Sequence, residues 1–285
     1  MKEINYQFLK NTIKPRPYNA HKGSMGSLLS ICGSYGMAGA EIFSAKSALR
    51  TGVGLLRLLI LKSVYPIVAQ VVPEAVFLPV NKPFFGIKNI DTINENIEKS
   101  KALLIGCGLS HNEDTESLVQ YLVKNCKIPM VLDADGLNCI ANHIHLLKEK
   151  SCDIIITPHP GEMSRLTGLT VKEISANPQK VAEDFSREYG VVTVLKGADT
   201  VISNGEETYI SYAGNPGMAT GGSGDVLAGI ISSLLAQGYS PINSACCGVF
   251  IHGSAGDETK KVLGEASMLP SDIVENIYKV FKNIE

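Results

Sequence analysis

No run in the sequence approaches 18 apolar residues, the length a membrane-spanning helix needs, so an anchor of that kind is excluded. The first residues, "MKEINYQFLKNTIKPRP", lack the apolar segment of a secretory signal. No CxxC spacing occurs. The cysteines are Cys32, Cys107, Cys126, Cys139, Cys152, Cys246 and Cys247, an odd set that argues against a disulfide framework and a zinc ribbon. Most lie in apolar runs, where Cys packs as a small hydrophobe, as suits a reducing compartment. A cytoplasmic location is therefore expected. Net charge is −2, and Lys and Arg are spread along the chain. Without a basic block, a nucleic-acid surface is not expected. His143 and His145 are two apart, not i and i+4, and no carboxylate–histidine set lies beside them in sequence. The spacing gives no metal site there.

Motifs are missing too. There is no G-x-x-x-x-G-K-[ST], which excludes a P-loop NTPase. "GSYGMAG" (33–39) follows a strand-like run but does not spell G-x-G-x-x-G, which disfavours a Rossmann dehydrogenase. No G-x-S-x-G nucleophile elbow occurs.

What is present is the patterning of an α/β protein. A chain of 285 residues, 45 % apolar and 19 % charged, buries about three quarters of its unfolded surface and needs neither disulfide nor metal to fold. Apolar runs at 27–32, 55–60, 102–107, 129–134, 153–157 and 191–197 read as strands. Helical stretches near 115–126, 137–149 and 178–189 lie between the later ones. That alternation predicts a mostly parallel central sheet covered by helices on both faces. Beyond 197 the pattern changes to a hairpin turning near Asn204 and Gly205, then three helical stretches at 225–237, 241–256 and 266–283. Residues 80–100 are the most linker-like but short, so one domain over 1–285 is expected. Cys246, Cys247 and His252 are assigned to core packing.

In parallel sheets ligands bind beyond the carboxyl ends of the strands. That rule selects Gly33–Ala40, Gly106–Leu109, Asp133–Asn138, Thr157–Glu162 and Lys196–Thr200. It directs attention as well to "NPGMATGGSGDVLAG" (215–229), where a glycine run meets Asp225 and then an apolar helical pattern. Gly221, Gly222 and Gly224 allow close backbone approach. With Ser223, a candidate cap, they form a candidate anion hole at a helix start. A carboxylate would repel a phosphate there. Asp225 fits if it orients an acceptor hydroxyl towards a phosphoryl group held by the backbone. The helix dipole is expected to lower its pKa. The alternative is a helix start in which Asp225 only complements the dipole.

Three further loops carry candidates. In "ITPHPGEMSRL" (156–166), His159 and Glu162 can share a cleft, and Glu162 either meets Mg²⁺ or complements its own helix. In "VLDADGLN" (131–138), Asp133 and Asp135 fall on one side of an extended chain, facing a metal–phosphate group or forming only a turn and cap. In "LKGADT" (195–200), Lys196 serves a phosphate as a point charge or is an ordinary strand-end lysine.

Taken together and in order, "HKGSMGSLLSICGSYGMAGA", "LLIGCGL", "VLDADGLN", "TPHPGEMSRL", "VLKGADTVI" and "NPGMATGGSGDVLAG" resemble the ADP-dependent NAD(P)H-hydrate dehydratases of the ribokinase-like superfamily. The resemblance runs from about His21 to about Gly256. It implies removal of water from the S epimer of hydrated NADH or NADPH, with ADP as co-substrate, giving AMP and phosphate. It places hydrate binding at Ala40, Gly108, His159 and Asp225, with Asp225 catalytic. It places AMP at Lys196, Gly197, Ala198, Asp199, Thr200 and Gly224. Ser223 stands where many relatives carry Thr, and both offer a hydroxyl. The resemblance further implies Mg²⁺, with Glu162 and Asp133 as candidate ligands, a homotetramer, and a separate NAD(P)H-hydrate epimerase as functional partner, since no epimerase motifs accompany these. Two other readings share the glycine turn and acid: a small-molecule kinase of the same superfamily and a catalytically silent nucleotide-binding protein.

Overall fold

The apolar runs become the strands of one ten-stranded sheet in the computed structural model, which describes residues 1–284. The strands are β1 (Lys2–Glu3), β2 (Ser27–Ile31), β3 (Leu55–Leu61), β4 (Val76–Val80), β5 (Ala102–Ile105), β6 (Met130–Leu132), β7 (Ile154–Ile156), β8 (Val192–Leu195), β9 (Thr200–Ser203) and β10 (Thr208–Ser211). Their order is β1-β10-β9-β8-β7-β6-β5-β2-β3-β4. Pairing is parallel from β4 across to β8; β9 runs antiparallel to both its neighbours. Central strands are buried along their length, with Leu103, Leu104, Ile105, Ile155 and Ile156 fully enclosed, because helices cover both faces. Among the described residues no helix is long and apolar enough to cross a membrane.

Two features of this topology position the site. From β2 the chain winds through β3 and β4 to one edge. It then returns to β5, beside β2, and winds through β6, β7 and β8 the other way. Connections therefore diverge above β2 and β5, which opens a crevice at their carboxyl ends. The helix Ser223–Ala236 packs over β2, β5 and β6 and against the helix Ala38–Thr51. Gly229 makes that helix pair close: a Cβ there would lie 2.1 Å from Ser47 Oγ and 2.2 Å from the Ser44 carbonyl oxygen.

Several expectations need correcting. The stretch 137–149 is not one helix but an α-helix, Asp135–Ile140, followed by a 3₁₀ segment, Ala141–Lys148, broken at His143 (φ −131, ψ 36). The linker-like region holds the helix Ile90–Ile97, and Phe85 and Ile93 are fully buried in the common core, so apolar anchors override its polar composition. The helix expected to end at 256 continues to Leu263, and the last helix is Pro270–Lys282.

Candidate active site

At the carboxyl ends of β6, β7 and β8 the loops enclose a cleft of about 1010 Å³. Its walls come from Asp133–Ala134, His159–Pro160, Lys196–Thr200 and the segment from Tyr212 to Asp225. The glycine run turns into the helix through Gly222, whose φ of 101° is left-handed. A Cβ on Gly222 would also lie 2.7 Å from the Phe43 ring, whereas Gly221 has no atom within 4 Å of that position. Ser223 N–H bonds to the Thr220 carbonyl and Val226 N–H to that of Gly222. The N–H groups of Gly221, Gly222, Gly224 and Asp225 have no backbone acceptor among the described residues. They form a positive cradle at the start of a helix. Lys196 Nζ would lie 3.4 Å from a Cβ on Gly224, so its ammonium stands against the same cradle.

Ser223 is not the cap. Gly222 occupies the capping position, and Ser223 Oγ pairs with His252 Nε2 at 3.2 Å. His252, expected only to fill the core, also lines the cleft. Burial, with the nearby Lys196 charge, pushes its pKa down to about 4, so it is a neutral imidazole at ordinary pH.

The carboxylates are crowded. Asp133 is buried; its Oδ1 accepts from Thr157 Oγ1 at 2.5 Å and from Lys196 Nζ at 3.2 Å, and its Oδ2 from Cys107 Sγ at 3.5 Å. Lys196 also lies 3.8 Å from Glu162 Oε2. Burial disfavours the Lys196 ammonium, but Asp133 and Glu162 more than offset it, and the pKa rises. Donor atoms of Cys107, Asp133 and Asp225 lie within 4.8 Å of one another. Asp225 is pushed up to about 7, first by burial and then by the charge of Asp133. The expected lowering by the helix dipole is overturned, because desolvation beside like charge outweighs a dipole effect that acts over one turn.

Asp133 and Asp135 do not share a side of an extended strand. Ala134 between them has φ 50° and ψ −116°, a sparsely populated conformation that costs a non-glycine residue on the order of 1–3 kcal/mol. The kink sends Asp133 to Lys196 and leaves Asp135 Oδ2 to accept from the N–H of Ser110, itself at φ 67°. Gly106 permits this contact of loops: a Cβ there would lie 1.9 Å from the Asp133 carbonyl oxygen. Nothing in the sequence marks Ala134 or Ser110.

His159 and Glu162 do meet, as a capping box. His159 Nδ1 accepts from the N–H groups of Gly161 (2.9 Å) and Glu162 (3.2 Å), and Glu162 Oε2 accepts from His159 N–H at 2.8 Å. With Nδ1 an acceptor, geometry assigns the neutral ring's proton to Nε2. Ala40 and Gly108 stand apart from the cleft lining but beside each other, where a Cβ on Gly108 would lie 2.7 Å from that of Ala40. They sit above β2 and β5, next to Cys107. Asp225 lines the cleft with Lys196, Gly197, Ala198, Asp199, Thr200 and Gly224, and its carboxyl comes within 4.8 Å of the thiol of Cys107, the residue before Gly108.

A profile of the NAD(P)H-hydrate dehydratase family matches residues 28–279. The bifunctional NAD(P)H-hydrate repair enzyme of Moorella thermoacetica is 36 % identical over 97 % of this chain and 53 % of its own length. The chain spans about half the length of most of the curated relatives it matches. The ADP-dependent (S)-NAD(P)H-hydrate dehydratase of Neisseria meningitidis is 34 % identical over 91 % of this chain and 86 % of its own. The ADP/ATP-dependent NAD(P)H-hydrate dehydratase of Bacillus subtilis, crystallised with ATP and Mg²⁺, superposes with a TM-score of 0.85 at 26 % identity, over 99 % of this chain and 98 % of that one. With its ribokinase-like α/β architecture and a match over most of its length, this chain belongs to the NAD(P)H-hydrate dehydratase family.

Proposed function

We propose that this protein removes water from the S epimer of hydrated NADH or NADPH, using ADP and releasing AMP and phosphate. The observation that carries the reading is the placement of Asp225. One side of the Ser223–Ala236 helix start offers free amides and Lys196 to an anion; the Asp225 carboxyl lines the same cleft and comes within 4.8 Å of Cys107 Sγ, whose chain neighbour Gly108 packs on Ala40.

The cleft holds ADP through Lys196, Gly197, Ala198, Asp199, Thr200 and Gly224, with its terminal phosphoryl group on the amides of Gly221, Gly222 and Gly224. In this reading the hydrate is bound by Ala40, Gly108, His159 and Asp225. A carboxyl with its pKa near 7 is balanced between holding and releasing a proton at neutral pH. Ionised, Asp225 orients the ring hydroxyl and takes its proton as oxygen bonds to phosphorus and AMP leaves. Hydroxide is a poor leaving group and phosphate a good one. The ring C–O bond then breaks, phosphate takes the electron pair, the neighbouring carbon loses a proton, and the ring double bond returns. Lys196 supplies fixed positive charge to the phosphoryl group.

The donor set fits Mg²⁺ on one side only. Asp133 has both oxygens engaged, by Thr157, Lys196 and Cys107, so direct ligation would displace the Lys196 ion pair. Glu162 Oε1 has a looser neighbour, His159 Nε2 at 3.5 Å. Glu162, directly or through water, is the better protein oxygen for an ion otherwise held by phosphates and water. When bound, Mg²⁺ neutralises phosphate charge. The proposal also includes a cytoplasmic homotetramer and a separate epimerase that interconverts the hydrate epimers.

Incubation with hydrated NADH and ADP tests this. Recovery of NADH absorbance with equal amounts of AMP and phosphate is expected. Formation of a stable phosphorylated product with no recovery would instead identify a kinase.

A further inference from the structure

The helix Pro241–Leu263 carries Gly253, Gly256 and Asp257 at i, i+3 and i+4, so the three share one face. Glycine weakens a helix interior, and here the two glycines admit another piece of chain. A Cβ on Gly253 would overlap the Ala213 carbonyl oxygen, and one on Gly256 the Met218 sulfur. Both partners belong to the segment after β10 that walls the cleft.

Asp257 fastens the same segment. Its Oδ2 accepts from the Gly214 N–H at 3.0 Å and its Oδ1 from Asn215 Nδ2 at 3.0 Å. Asn215 Oδ1 in turn accepts from the Gly217 N–H at 3.1 Å, which caps the 3₁₀ turn Pro216–Met218. Backbone bonds carry the fold of the segment onward: Ala219 N–H to the Pro216 carbonyl, Thr220 N–H to that of Met218, and Ser223 N–H to that of Thr220. The last of these closes the turn that presents the Gly221 and Gly222 amides. One carboxylate thus stands at the root of a hydrogen-bonded path to the anion cradle, although Asp257 is not itself part of the cleft lining.

We propose, on the reading that this cleft takes ADP, that Asp257 is a positioning residue for the nucleotide: it holds Gly214 and Asn215 so that the cleft wall and the cradle are in place before ADP arrives. The effect is preorganisation. A wall correctly folded in only about a tenth of molecules would bind ADP about 10-fold more weakly. The bonds demand this pairing of side chains. A carboxylate at 257 accepts twice, and an amide at 215 donates to it while accepting from Gly217. Exchanging the two side chains preserves every bond. With Asn215→Asp and Asp257→Asn together, the amide at 257 accepts from the Gly214 N–H and donates to the carboxylate at 215, which still accepts from Gly217.

Calorimetric titration of the whole protein with ADP, alongside thermal melts, tests this. Asp257→Ala should weaken ADP binding about 10-fold, and Asp257→Asn, which keeps one of the two bonds, somewhat less. Asn215→Asp alone sets carboxylate against carboxylate and should also weaken it. The exchanged pair should restore most of the lost affinity. Thr259→Val is the control on the same helix: it removes hydrogen bonds to the Ala255 and Asp272 carbonyls and from Asn276 Nδ2. It should lower the melting temperature with ADP affinity unchanged. The proposal is overturned if Asp257→Ala binds ADP as tightly as the parent, or if the exchanged pair does no better than Asp257→Asn. An equal loss of affinity in Thr259→Val would also overturn it, because Asp257 would then be a general tie of the helix. A parent protein that binds no ADP would instead overturn the proposed function itself.

Discussion

Two turns in this protein use the same glycine device to opposite ends. The turn joining β9 to β10 contains Gly205 at φ 89°, and the turn into the Ser223–Ala236 helix contains Gly222 at φ 101°. At the hairpin the chain supplies its own acceptors. Asn204 Oδ1 takes the N–H groups of Glu206 (3.0 Å) and Glu207 (2.7 Å), and Ser203 Oγ takes that of Gly205 (3.0 Å). At the helix start the amides of Gly221, Gly222, Gly224 and Asp225 find no backbone partner among the described residues. Left-handed glycine alone does not make a site. A site needs amides left for something else to bind, and a charged group placed to use it.

The largest effect should come from the charged group. Asp225→Asn is expected to lower turnover on the order of 10²-fold or more while nucleotide affinity, measured by calorimetry, is kept. The same variant should be more stable than the parent at high pH. Burial raises the Asp225 pKa to about 7, above the value of about 3.9 in an unfolded chain. Its contribution to stability is therefore full below the unfolded value and lost as pH rises through about 7. Thermal melts at pH 5 and pH 8 check this, with the advantage of the variant expected to be larger at the higher pH.

Next in size, Lys196→Ala should weaken ADP binding about 10-fold by calorimetry, since it removes the cradle's one adjacent ammonium (a tenfold change is about 1.4 kcal/mol). Unaltered affinity would reduce Lys196 to the partner of Asp133.

The glycines themselves sharpen the contrast. Gly222→Ala and Gly205→Ala should both destabilise, because each position is left-handed and each added Cβ meets an atom within 3 Å. Only Gly222→Ala should also weaken ADP binding. Equal effects of the two on affinity would break the comparison.

The smallest effect is a shift in pH dependence. Asp133→Asn removes the second cause of the raised Asp225 pKa, so the acid limb of the rate profile should move to lower pH. An unmoved limb would mean that burial alone sets it.

Much of this was legible in the sequence. Runs such as "ALLI" and "III" are apolar on both faces, which only a covered parallel sheet explains, and the strand-end rule then pointed to the loops that form the cleft. The glycine cradle was legible because glycine is what close backbone approach requires. The electrostatics were not. Asp225 acquires its pKa from burial and from Asp133, and neither is encoded near residue 225. Ser223 looked like a cap because serine usually is one; Gly222 took that place, and His252 took the hydroxyl. The break in helical geometry at His143 likewise has no signal in the local sequence.

A crystal structure with AMP and phosphate bound tests the central claim most directly. Phosphate is expected on the amides of Gly221, Gly222 and Gly224 with Lys196 beside it, and the Asp225 carboxyl turned towards the Ala40–Gly108 crevice. Phosphate bound away from those amides, or AMP outside the Lys196–Thr200 wall, would contradict the account.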